Sequence, residues 1–179
     1  MVYRIYVEKK PGFDVEANGL KNELTSLLGI KDLTGLRLLN RYDVEGIDEA
    51  LFNQCVSTVF SEPPVDNTYA ELPAAEGVSF AVEYLPGQFD QRAASAVDCV
   101  RLIDPEARVD IRSSRLLVFD DKTTDGELAK IRHYYINAVE SREKDLSVLS
   151  DMEQAEVKPV GALEGFREMA DSELEPYCK

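Results

Sequence analysis

The chain has 179 residues, 44% hydrophobic and 30% charged, with a formal net charge of −14, the composition of one ordinary globular domain or of two small halves sharing a core. That acid excess excludes nucleic acid as a partner, since phosphate binding needs clustered Lys and Arg, and no basic amphipathic stretch suggests a membrane surface. No apolar run reaches the ~18 residues of a spanning helix.

Val2 to Glu8 alternates β-forming residues between two faces and reads as a strand. Met1-Val2-Tyr3-Arg4 enters it without the charged, apolar and small-residue regions of a signal peptide. Pro11-Gly12 ends the strand, and Asp14 is placed to cap a helix carrying Leu20, Leu24 and Leu27 on one face, with Gly29 as its stop. Residues 35–44 form a second extended stretch. Asp48 then caps a helix striped by Leu51, Phe52, Cys55, Val56 and Val59, which Pro63-Pro64 cannot continue. A short edge strand is expected over Thr68 to Leu72.

The plan then repeats. Val78 to Tyr84 is a strand, Pro86-Gly87 a turn, and Phe89 to Ile103 a helix facing inward with Ala96, Val100 and Ile103. Asp104-Pro105 ends that helix, and residues 108–119 return as an extended stretch. Thr124-Asp125-Gly126-Glu127 is a capping box for a helix burying Leu128, Ile131 and Tyr135. From Ser150 the chain is polar and irregular, so 150–179 reads as the start of a linker domain, truncated before the helix that Asp171-Ser172-Glu173 would open.

Val7-Glu8 and Pro11-Gly12 match Val82-Glu83 and Pro86-Gly87 at an offset of 75, Phe13-Asp14 matches Phe89-Asp90 at 76, Asp48 and Leu51 match Asp125 and Leu128 at 77, and Arg37-Leu38-Leu39 matches Arg115-Leu116-Leu117 at 78. The small drift indicates a tandem duplication with halves of about 1–74 and 75–149. Each half reads strand–helix–extended hairpin–helix–strand. The expected fold class is therefore α+β: two ferredoxin-like units with antiparallel sheets and helices on one face, joined as a dimer within one chain.

Little here can supply catalysis. His133 is the only histidine, so a triad would have to pass through a residue expected on a helix surface. Three cysteines, Cys55, Cys99 and Cys178, are odd in number and lack CxxC spacing, which suits a reduced, cytoplasmic protein. Cys55 and Cys99 fall on or beside apolar helical faces, as core thiols do. No glycine spacing makes a phosphate cradle, and no zinc spacing exists. Asp120-Asp121, and Asp43 with Glu45, are expected at turns rather than on magnesium. Gln88, Gln91 and Arg92 exceed what the Pro86-Gly87 turn needs and are candidate contact residues, with Phe89 a staple-like aromatic beside them.

Three segments carry a family likeness: Val59-Phe60-Ser61-Glu62-Pro63-Pro64-Val65-Asp66, Tyr84-Leu85-Pro86-Gly87-Gln88-Phe89-Asp90-Gln91-Arg92-Ala93, and His133-Tyr134-Tyr135-Ile136-Asn137-Ala138-Val139-Glu140-Ser141-Arg142-Glu143. In this order they resemble the N-terminal region of the large single-chain phosphoribosylformylglycinamidine synthase. The chain departs from that pattern at Ala94, where an acidic residue is common, and at Ala138, where proline is. The resemblance implies a PurS-like domain over 1–149, bridging the synthetase and glutaminase domains of one chain and shaping an ammonia path between them. The whole enzyme is an ATP-dependent glutamine amidotransferase ligase of purine biosynthesis. It makes formylglycinamidine ribonucleotide from formylglycinamide ribonucleotide, ATP and glutamine, with magnesium. The resemblance places catalytic residues, ATP and metal downstream, leaving this region inactive alone, with no cofactor or metal of its own. Expected inter-domain contacts are Gln88, Phe89, Gln91 and Arg92, then Arg142 and Glu143. The rival readings are a paired α+β small-molecule sensor, a separate PurS-like subunit, and an enzyme acting through His133.

Overall fold

A computed structural model describes residues 1–30, 33–73, 77–120 and 122–146; the expected linker segment 150–179, the boundary between the halves at 74/75, and Asp121 lie outside these. In chain order the elements are β1 (Val2–Lys9), α1 (Val15–Leu27), β2 (Leu36–Glu45), α2 (Glu49–Cys55) with a π-helical turn (Val56–Phe60) continuing it, β3 (Asp66–Tyr69), β4 (Ser79–Tyr84), α3 (Gln91–Ile103), β5 (Asp110–Phe119), α4 (Asp125–Tyr135) and β6 (Ser141–Lys144). The six strands make one antiparallel sheet in the order β3-β1-β2-β5-β4-β6. The architecture is α+β. Among the described residues no helix is long and apolar enough to cross a membrane.

The extended stretches expected as hairpins are each one continuous strand. β2 and β5 have no internal Gly or Asn-Gly turn of the kind a tight hairpin needs, and they pair over their whole length, from Leu36↔Phe119 to Glu45↔Asp110. This pairing welds the two ends of the sheet together. β3 and β6 are the edges, both short and carrying polar residues, which blunts edge-to-edge association.

All four helices contribute to clusters on one face, in two groups. Ile5, Val7, Tyr42, Val44 and Ile111 share a core with Phe52 and Cys55 of α2 and with Ala93, Ala96 and Val100 of α3. Leu36, Phe80, Val82, Leu117 and Phe119 share a second with Leu24 of α1 and with Leu128 and Ile131 of α4. Leu24, Val100 and Ile131 are fully buried, each stabilising the fold by about 1.5–3 kcal/mol. On the opposite face Tyr6, Leu39, Ala81, Leu116 and Val118 form a third cluster, which among the described residues includes no helix residue.

Helix ends follow the expected chemistry at most points. Thr124 and Glu127 form the reciprocal capping box of α4, Asp48 accepts from the Leu51 amide at 2.8 Å, and Gly29 ends α1 with a left-handed φ of 68°. Asp14 differs: its carboxylate accepts from the Gly12 amide at 3.0 Å and caps nothing in α1. Leu27 differs too. It is 67% exposed, and Leu28, four residues beyond the buried Leu24, turns to the core instead.

Two other expectations shift. Leu38 lies on the helix-covered face and Leu116 on the other, so the Arg37-Leu38-Leu39 match to Arg115-Leu116-Leu117 is out of register by an odd number. Asp43 is no turn residue: it sits buried within β2, paired with Arg4 at 2.6 Å and Arg41 at 2.8 Å. Asp120 does serve a turn. It accepts from the Thr34 and Gly35 amides at 2.9 and 2.8 Å and from the Thr34 hydroxyl, tying the approach to β2 to the end of β5. Burial pushes its pKa up, yet the bonds from Thr34, Gly35 and Lys122 outweigh this and hold it at about 2.

Candidate functional site

The two helix-side cores are separated by a polar seam. Asn40 and Arg115 are directly paired at the centre of the β2–β5 ladder. Arg115 reaches Glu16 of α1 at 2.5 Å, and on the other side Arg92 of α3 donates to the Tyr42 hydroxyl at 3.5 Å. The first turns of α1 and α3 thus bring one acid and one guanidinium over the middle of the sheet. Two clefts flank this seam, one of about 660 Å³ and one of about 450 Å³, and both are lined by Glu16, Arg92 and Arg115. Tyr135 lines the larger; burial pushes its phenol pKa up, so it is a neutral donor and acceptor there.

The turn before α3 is fixed by Gly87, whose φ of 90° is left-handed, and by a bond from the Gln88 amide to the Leu85 carbonyl at 3.0 Å. Asp90 does more than cap. Its carboxylate accepts from the Ala93 amide at 2.9 Å and also from the Ser113 amide and hydroxyl at 2.9 and 3.0 Å. One side chain therefore pins the start of α3 to β5 and sets where Gln91 and Arg92 stand. Asp90→Ala is expected to cost about 2 kcal/mol in urea unfolding, since both a cap and a strand contact are lost. A cost below about 0.5 kcal/mol would remove this anchoring role.

The six expected contact residues do not form one site. Gln91 and Arg92 line the larger cleft. The Gln88 side chain donates to the Val139 carbonyl at 3.2 Å, joining the turn to the segment before β6. Phe89 is 74% exposed, so it is no staple. Arg142 is paired with Glu83 across the β4–β6 ladder at 2.9 Å, and Glu143 with Arg132 of α4 at 3.1 Å. Sequence reasoning missed Glu16, Asn40, Tyr42, Ser113 and Arg115, whose signal lies in long-range pairing.

His133 is exposed on α4, Cys55 is buried with its thiol pKa pushed up by burial, and among the described residues no group of three or more His, Cys, Asp or Glu could hold a metal ion. The arrangement can bind polar or charged groups at the seam. No family model, curated protein or solved structure matches this chain.

Proposed function

We propose that residues 1–149 are a non-catalytic assembly domain built from two equivalent α+β halves, of the kind the resemblance to phosphoribosylformylglycinamidine synthase implies. The observation that carries this reading is the symmetry of the sheet about β2–β5. Ser141–Lys144 follows Asp66–Tyr69 at 75 residues, and the cross-strand pair Asn40↔Arg115 has the same spacing. Tyr6↔Tyr69 and Ala81↔Lys144 are equivalent pairs at that offset. α1 and α3 are 76 apart, as are the buried pairs Ala17 and Ala93, Leu24 and Val100, and Phe52 and Leu128. α3 also shares its core with β1 and α2, and α1 with β4 and α4, so each half helps to cover the other. A pair of this kind is a rigid spacer.

On this reading the domain holds the synthetase and glutaminase domains of the same chain in register, so that ammonia passes between them without loss to water. ATP, magnesium and the glutaminase nucleophile belong to those domains. In the full enzyme Arg92→Ala is expected to lower glutamine-dependent turnover more than ammonia-dependent turnover; equal losses would contradict bridging.

The larger cleft favours a second reading, a small-molecule sensor, because about 660 Å³ lies within the usual 300–1,000 Å³ or so of ligand sites. A sensor held at 100 times its dissociation constant gains about 2.7 kcal/mol. Thermal-shift screening against nucleotides and amino acids should be flat for a spacer.

A further inference from the structure

Among the described residues five charged side chains line the larger cleft: Glu16, Glu83, Arg92, Arg115 and Glu140. Glu16, Glu83 and Arg115 are already matched. Arg115 meets Glu16 at 2.5 Å, and Glu83 takes Lys144 at 2.5 Å and Arg142 at 2.9 Å. Arg92 and Glu140 remain, and among the described residues neither is paired with an opposite charge. Arg92 donates to the Tyr42 hydroxyl, at 3.5 Å. Glu140 is held through its backbone, accepting from the Leu85 amide at 2.9 Å and donating to the Asn137 carbonyl at 3.0 Å.

These two charges select a ligand. A guanidinium takes a carboxylate through parallel N–H···O bonds, and a carboxylate takes the three donors of an ammonium. One small molecule that supplies both groups is a zwitterion. A phosphate or nucleotide brings no ammonium and would meet Glu16, Glu83 and Glu140 as like charges. A charged side chain on the ligand would find no unmatched partner in the cleft. Val59, Val82 and Tyr84 offer apolar surface there instead.

We propose that the larger cleft binds a zwitterionic α-amino acid with an uncharged side chain, Arg92 taking its carboxylate and Glu140 its ammonium. This rests on the second reading above, in which the seam holds a small molecule, and gives that molecule its chemical class.

Cys99, two turns along α3 from Arg92, lines the same cleft and is exposed, whereas Cys55 is buried. In the 179-residue chain with Cys178→Ser, alkylation by iodoacetamide therefore reads the occupancy of the cleft. The common α-amino acids other than cysteine are the probes, with acetate, methylamine and AMP beside them. At least one amino acid with an uncharged side chain is expected to slow Cys99 labelling about tenfold at about ten times its dissociation constant, as mass action requires. Acetate and methylamine, each carrying half of the charge pattern, should leave labelling unchanged at the same concentration. Arg92→Gln and Glu140→Gln, both at exposed positions, should each cut that protection to about twofold or less. Protection that persists in both variants overturns the proposal. Protection by AMP alone, or by charged amino acids alone, overturns it too, and the sensor reading then stands with another ligand. Labelling that no compound slows removes the proposal and the sensor reading together.

Discussion

Asp43→Asn is expected to destabilise the protein by about 3–5 kcal/mol, because it leaves the buried Arg41 charge without its counter-ion. Asp43 is held by Arg4 and Arg41, with Lys144 3.9 Å away on the far side. For a domain of this size such a loss lowers Tm by roughly 10 °C or more. A second signature separates charge from packing. Burial pushes the Asp43 pKa up, but the hydrogen bonds and charges of Arg41 and Arg4 more than reverse this, leaving it below its ordinary 3.8. A depressed carboxyl contributes stability that is complete above the unfolded pKa and is lost as pH falls through the folded one. Wild-type stability should therefore fall below about pH 4, partly through Asp43, and the Asp43→Asn variant should show a shallower fall over the same range. Urea unfolding of both proteins between about pH 2 and 7 measures this across the carboxylate range; parallel curves would mean that Asp43 adds nothing through its charge.

Gly46→Ala should be comparably severe. Gly46 follows β2 with a left-handed φ of 88°, and a Cβ there would lie 2.1 Å from the Arg108 carbonyl oxygen. Backbone strain of about 1–3 kcal/mol adds to overpacking of about 1–3 kcal/mol, and neither can relax by turning a side chain. Gly12→Ala is the matched control. Its φ is 91° but nothing lies within 4 Å of the added carbon, so only the strain should appear. Equal costs at the two positions would mean that the approach of Arg108 to β2 is soft.

Much of the fold was legible because it rests on local chemistry. Alternation marked β1 and β4, Asp48 and the Thr124–Glu127 pair marked helix starts, and Gly29 marked a helix end. What failed depended on partners distant in sequence. Asp43 with Glu45 reads as a turn pair, yet both lie in β2, because Arg4 and Arg41 supply the charges that make the burial of Asp43 tolerable. Leu27 fits a helical stripe as well as Leu28 does, and only the direction of the opposing core decides between them. The candidate site was half legible. Gln91 and Arg92 stood out as more than a turn requires, and they do reach the cleft. Arg115 and Glu16, which complete the seam, are 99 residues apart and carry no local mark. Phe89, expected to pack, instead stands in solvent, where an apolar ring is available to another surface.

The most direct test of the bridging account is the mass of the native protein in source cells, read by immunoblot with an antibody raised against these residues. A band several times larger than 20.0 kDa is expected, since a spacer between synthetase and glutaminase domains must be part of their chain. A band near 20.0 kDa would contradict this, and a separate subunit or a sensor using the seam clefts would take its place.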